Sequence, residues 1–137
     1  MTRSKTRQPA TSTAPLALVV EPDEKYAFLL NRYLEQLGVR AEVRASIPSV
    51  EQILAGASPE FVILDTHTFH SEAKATILNL RAIPGFEKKP ILVCHWAHEP
   101  VLELEEEPGL QFIEKPVGFT DFVQALSRLG VRHSTHP

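Results

Sequence analysis

Phe61-Val62-Ile63-Leu64-Asp65 is a short apolar run that ends in an acid, and it predicts a strand buried on both faces of a sheet. Two other runs have the same character. Leu16 to Val20 is followed by Glu21-Pro22-Asp23, and Pro90 to Cys94 is followed by His95. A strand that packs on both faces need not alternate apolar and polar residues, so these runs predict the central strands of one parallel sheet.

The segments between these runs have the periods of helices and of an edge strand. Apolar residues recur at three- and four-residue steps from Tyr26 to Leu37, and Gly38 follows as a helix stop. Residues 39–45 alternate apolar and charged side chains, as a half-buried edge strand does. The other predicted elements are a helix opened by Ser46 and Pro48 and ended near Gly56, a helix over Ala73 to Leu80, a short strand over Leu110 to Ile113, and a helix from Phe119 to Leu129 with Thr120 as its cap.

The alternation of strands and helices predicts the α/β class, with a parallel sheet covered by helices on both faces. A hydrophobic fraction of 43% is enough for a packed core in a chain of 137 residues, so one domain is expected. We assign that domain to residues 16–130. Residues 1–15 are predicted to be a flexible N-terminal tail and residues 131–137 a C-terminal tail.

Composition argues against several classes of partner. A net charge of -3 gives no general electrostatic reason to bind nucleic acid. The apolar runs are too short to span a membrane, and the single cysteine, Cys94, is expected to be a small core residue in a reducing compartment. The sequence therefore predicts a cytoplasmic protein with no nucleic-acid or membrane partner.

Charged and polar residues follow the predicted strands at one end. Glu21 and Asp23 come after the first strand, Asp65 ends the third, His95 follows the fourth, and Lys115 follows the fifth. The functional crevice of such a sheet lies beyond the carboxyl ends of its strands. We therefore expect these side chains to converge there.

Three of these segments resemble the signature segments of response-regulator receiver domains of the CheY-like family. They are Val19-Val20-Glu21-Pro22-Asp23, Val62-Ile63-Leu64-Asp65 and Ile113-Glu114-Lys115-Pro116. Their order and approximate spacing match the family, and the likeness extends from about Leu16 to Gly130. It implies a flavodoxin-like, doubly wound, five-stranded parallel sheet with strand order 2-1-3-4-5.

The resemblance also implies roles for individual residues. Asp65 corresponds to the phosphoacceptor and Lys115 to the lysine that pairs with the phosphoryl group, while His95 and Phe112 occupy the switch positions. A magnesium ion would be bound by Glu21, Asp65 and the backbone carbonyl of His67. Asp23 is a candidate for a further contact through water, and the alternative for it is a solvated acid at the start of the first helix.

Three positions depart from the family pattern. Pro22 replaces the second of two adjacent acids, and His95-Trp96 replaces a hydroxyl residue followed by a small one. The segment between Pro100 and Pro108 is short and acidic, which predicts a shortened or irregular fourth helix. In addition, His67, His70, His95 and His98 are, with Asp65, candidate ligands of zinc or another transition metal, although their spacing matches no standard motif.

These features favour a single-domain response regulator of two-component phosphorelay signalling. It would accept a phosphoryl group on Asp65 from a sensor histidine kinase or phosphotransfer protein and act on a separate output protein, and a homodimer stays open. It would not be an enzyme, apart from autocatalytic phosphoryl transfer to and from Asp65. The alternative is a pseudo-receiver that binds proteins without phosphorylation. A small flavodoxin-like or nucleotide-using enzyme is disfavoured, because Glu21-Pro22-Asp23-Glu24 is acidic where a phosphate-binding loop is needed.

Overall fold

The computed structural model describes residues 14–69, 73–97, 99 and 109–134. Five parallel strands form one sheet in the order 2-1-3-4-5, which confirms the predicted fold class. In chain order the strands are β1 (Leu16–Val20), β2 (Arg40–Arg44), β3 (Phe61–Asp65), β4 (Ile91–Trp96) and β5 (Leu110–Lys115).

Helices cover both faces of the sheet. They are α1 (Glu24–Gln36), α2 (Val50–Ala55), α3 (Ala73–Arg81) and α4 (Phe119–Arg128), with a 3₁₀ turn at Thr66–Thr68. Residues of α1 and α4 share a buried cluster with Ala17 and Val19, whereas residues of α2 and α3 share one with Leu18 and Val20. Successive residues of β1 therefore face opposite layers, which explains why its whole run is apolar.

Two predicted helix starts are wrong. Helix α2 begins at Val50, because two reciprocal hydrogen bonds cap it there. The backbone amide of Gln52 donates to the Ser49 hydroxyl, and the backbone amide of Ser49 donates to the Gln52 side-chain carbonyl. This capping box forms three residues after Ser46. Helix α4 begins after Gly118, whose extended backbone starts the first turn, so Thr120 lies inside the helix and does not cap it.

Several terminal and loop predictions fall partly outside the described residues. Residues 1–13 and the whole segment from Pro100 to Pro108, predicted to be a shortened or irregular fourth helix, lie outside the described residues. Residues 131–134, which the sequence assigns to a C-terminal tail, lie against the domain: Val131 packs on the α1–α4 core, and the amide of Ser134 donates to the carbonyl of Leu37 at 2.8 Å. Among the described helices, none is long and apolar enough to cross a membrane.

Candidate functional site at the carboxyl edge of the sheet

The strand register places the predicted site residues along one edge. Asp65 is the last residue of β3 and pairs with Cys94 in β4, while Lys115 ends β5 opposite Trp96. Glu21 immediately follows β1, and its amide donates to the carbonyl of Arg44 at 2.9 Å. The convergence expected from the sequence is therefore present.

Lys115 lies between two buried carboxylates. Its ammonium contacts Asp65 Oδ1 and lies 3.0 Å from Glu21 Oε1. Glu21, Asp65 and Lys115 are 3%, 1% and 4% exposed, so little water screens their charges. Burial lowers the pKa of Lys115, but the hydrogen bond to Asp65 and the negative charges of Asp65 and Glu21 outweigh it, so the pKa ends above its ordinary value.

The Glu21 carboxylate is strongly desolvated. Burial raises its pKa, and the neighbouring Lys115 ammonium and the hydrogen bond from the Asp23 amide offset this only in part. Glu21 Oε2 accepts the amide of Asp23 at 3.1 Å. Glu21 Oε1 has the Lys115 ammonium at ion-pair distance but lacks a well-directed hydrogen bond from the described residues. This oxygen therefore has a lone pair available to a cation.

Asp23 and His67 also lie at this edge, in different roles. The Asp23 carboxylate caps α1 by accepting the amides of Lys25 at 2.8 Å and Tyr26 at 3.3 Å. Its expected place at the start of the first helix is confirmed, whereas a water-mediated metal contact stays a prediction. The amide of His67 donates to Asp65 Oδ2 at 2.9 Å, so both oxygens of Asp65 have partners.

Two aromatic rings lie over Lys115. Its Nζ is 4.5 Å from the centre of the Tyr26 ring and 5.4 Å from that of Trp96, within the range of cation–π attraction. The two rings meet edge to face with their centres 5.6 Å apart. We call Tyr26 and Trp96 the aromatic cover. In the sequence, Trp96 is identified as a departure from the family pattern beside His95, whereas Tyr26 is identified only as an apolar position of the first helix.

Glu99 was not identified from the sequence. Both of its carboxylate oxygens lie within 3.0 Å of Thr66 Oγ1, and Oε1 accepts the amide of Trp96 at 2.6 Å. Its N–H donates to the carbonyl of Trp96 at 3.0 Å. Thr66 directly follows Asp65, so Glu99 connects the turn after β4 to the residue beside the predicted phosphoacceptor. In sequence, Glu99 is one of several acids in a run and carries no signal that separates it from the others.

The two predicted switch residues, His95 and Phe112, differ in how far they are buried. His95 is buried in β4, and its Nδ1 lies 3.1 Å from the carbonyl of Trp96. Phe112 is partly buried and packs against the α2–α3 core. Their roles as switches stay predictions, because the arrangement is that of a single conformation.

The transition-metal alternative gains no support from the described part of the chain. Within it, no three His, Cys, Asp or Glu side chains are grouped so that they could hold a metal ion. His70 and His98 lie outside the described residues.

Comparisons with known proteins identify the fold. No protein-family model and no curated protein matches the chain. A signal receiver domain of a histidine kinase from Syntrophus aciditrophicus is 22% identical, with a TM-score of 0.69 over 85% of this chain and 89% of that one. A sensor protein from Polaromonas sp. JS666 is 25% identical, with a TM-score of 0.65 over 83% and 94% of the two chains.

A further solved structure with a similar fold contains a bound metal ion. It is the receiver domain of a sensor histidine kinase from Pseudomonas aeruginosa PAO1, with magnesium coordinated in its active-site cleft. It is 13% identical, with a TM-score of 0.65 over 86% of this chain and 99% of that one. Similar solved structures are mostly receiver domains, and the resemblance predicted from the sequence is confirmed at the level of the fold. The chain has the fold of response-regulator receiver domains.

Proposed function

We propose that this chain is a receiver domain that carries a signal by accepting a phosphoryl group on Asp65. The observation that supports this best is the buried contact between the Lys115 ammonium and the Asp65 carboxylate. A carboxylate can attack a phosphoryl group only when the repulsion between the two anions is offset by nearby positive charge. Lys115 supplies such a charge at the acceptor itself.

The proposed transfer uses a phosphohistidine of a sensor kinase or phosphotransfer protein. An Asp65 carboxylate oxygen bonds to phosphorus as the P–N bond breaks, and the electron pair of that bond stays on the imidazole nitrogen. Water later cleaves the acyl phosphate, which restores the Asp65 carboxylate and releases inorganic phosphate. The phosphorylated domain would pass its signal to an output partner, and it would not be an enzyme beyond this reaction on its own side chain.

The residues at this edge fit a magnesium ion. Glu21 and Asp65 both face Lys115, and the buried Glu21 Oε1 lacks a well-directed hydrogen bond from the described residues. Two carboxylates and the carbonyl of His67 would leave the remaining octahedral positions to water, as magnesium prefers. When bound, the ion would neutralise charge on the phosphoryl oxygens.

A second function is favoured by the aromatic cover. Tyr26 and Trp96 lie over Lys115, Asp65 is 1% exposed, and Pro22 stands where a second acid is expected. A pseudo-receiver would keep this closed arrangement permanently and would bind its partners without phosphate. In either case we propose a cytoplasmic protein that acts on other proteins.

Phosphorylation can be tested with a small phosphodonor. Incubation with acetyl phosphate and magnesium is expected to add one phosphoryl group to the intact chain, detected by mass spectrometry. The Asp65→Asn variant should gain none, whereas Asp121→Asn, a change in the first turn of α4, should label like the parent. Absence of an adduct in the parent, with no magnesium response of Trp96 fluorescence, would instead establish the pseudo-receiver. Equal labelling of the Asp65→Asn variant would place the acceptor elsewhere.

A further inference from the structure

Glu99 joins three parts of the site through one carboxylate. The Thr66 hydroxyl donates to this carboxylate, whose Oε1 and Oε2 lie 3.0 and 2.9 Å from Thr66 Oγ1, and the amide of Trp96 donates to Oε1 at 2.6 Å. We call Glu99, Thr66 and the amide of Trp96 the Glu99 bridge. Hydrogen bonds to an ionised acceptor are among the stronger ones in proteins, so the bridge fixes the backbone at Trp96 relative to the end of β3.

The Glu99 bridge holds the backbone that carries the Trp96 ring of the aromatic cover. Trp96 is the last residue of β4, and its ring lies over Lys115 and against Tyr26. A phosphodonor must reach Asp65, which is 1% exposed. Displacing Trp96 from Lys115 would widen the approach to Asp65, and the bridge opposes that displacement.

The bridge is also close enough to sense charge at Asp65. The His67 ring lies between the two acids, with Nδ1 3.5 Å from Asp65 Oδ2 and Nε2 3.8 Å from Glu99 Oε2. Conversion of the Asp65 carboxylate to an acyl phosphate would raise the negative charge at this side chain from one to about two. Only a difference in free energy between two states can shift their populations, and repulsion of Glu99 by the phosphoryl group supplies such a difference.

We propose that the Glu99 bridge regulates the Asp65 site. The bridge holds the aromatic cover closed when Asp65 is unmodified, slows access of the phosphodonor, and is released when Asp65 carries a phosphoryl group. The second and third parts rest on the proposed function. The first part does not, because it concerns the unmodified protein.

Two variants distinguish an effect of the hydrogen bonds of the Glu99 bridge from an effect of the Glu99 negative charge alone. Glu99→Ala removes both the bridge and its negative charge. Thr66→Val removes the hydroxyl that Glu99 accepts but leaves the carboxylate in place. Glu35→Ala is a matched control, because it removes an exposed glutamate that pairs with Arg32 on α1.

The first measurement is acrylamide quenching of Trp96, the single tryptophan, in the full chain without any phosphodonor. Loss of one charge-assisted hydrogen bond is expected to increase the open population roughly tenfold. Glu99→Ala and Thr66→Val should both be quenched more strongly than the parent, and Glu35→Ala should match the parent. Circular dichroism and urea unfolding would confirm that each variant is folded.

The second measurement is the rate of acetyl phosphate labelling of the same proteins. Faster labelling in both bridge variants supports the proposal. If both folded variants are quenched like the parent, the proposal is overturned. It is also overturned if quenching increases in Glu99→Ala alone, because that result would indicate an effect of the Glu99 charge and not of the Glu99 bridge. Stronger quenching with an unchanged labelling rate overturns control of access. If both bridge variants are quenched more strongly but no protein, the parent included, is labelled, the closed aromatic cover is supported and the phosphoacceptor function is refuted.

Discussion

Lys115 is the residue on which the electrostatics of the buried site depend. Its ammonium has ion pairs with both Glu21 and Asp65, and all three side chains are almost fully excluded from water. Two unpaired carboxylates at such a position would incur a large desolvation cost. The same lysine therefore contributes to stability and to the proposed chemistry.

Replacement of this lysine should destabilise the domain in a pH-dependent way. We expect Lys115→Met to lower the free energy of unfolding by about 3–5 kcal/mol near neutral pH, because two buried carboxylates lose their cation. The folded variant should then bind protons more readily than its unfolded chain, so the loss should shrink as the pH falls. Urea unfolding near pH 7.5 and pH 5 measures this.

The matched control removes the unpaired charges. Adding Glu21→Gln and Asp65→Asn to Lys115→Met should recover much of the lost stability, because no buried charge remains. An equal loss of stability at both pH values, with no recovery in the triple variant, would show that packing of the lysine stem matters more than its charge.

At the scale of elements, helix caps decided boundaries that periodicity left open. Asp23 was expected at the start of the first helix, and it caps α1 there. The start of α2 was placed at Ser46 and Pro48, but the reciprocal bonds of Ser49 and Gln52 fix it at Val50. Ser49-Val50-Glu51-Gln52 has the spacing of a capping box, which is the sequence signal that separates Ser49 from Ser46 and Pro48 as the start of this helix.

The Ser49 cap gives a direct test of this boundary. Ser49→Ala should lower the free energy of unfolding by about 1 kcal/mol, because the amide of Gln52 loses its partner. Ser46→Ala, at an exposed position, should change it by less than about 0.5 kcal/mol. Urea unfolding followed by circular dichroism compares the two, and a larger effect at Ser46 would contradict the observed start of α2.

Across the whole molecule, residues 131–134 connect the C-terminal end of α4 to the C-terminal end of α1. The amide of Val131 donates to the carbonyl of Leu126, and Ser134 donates to that of Leu37. Arg132 forms an ion pair with Glu60 at 2.7 Å, with both side chains exposed. The backbone contacts should therefore matter more than the ion pair.

Truncation after Gly130 tests the contribution of this segment. We expect a loss of about 1–3 kcal/mol in the free energy of unfolding, from the hydrogen bond to Leu37 and partial burial of Val131. Arg132→Ala should cost less than about 1 kcal/mol, since its ion pair is exposed. A truncated chain as stable as the parent in urea would show that the segment only rests on the surface.

The sheet, its two helical layers and the convergence of Glu21, Asp65 and Lys115 could all be predicted from the sequence. They follow from local periodicity and from the geometry of parallel strands, which brings strand ends to one edge. The position of Tyr26 and Trp96 over Lys115, and the contact between Glu99 and Thr66, are seen only in the folded chain. Those contacts join side chains far apart in the chain, so their meeting depends on how α1 and the turn after β4 pack around the sheet, which no local pattern specifies.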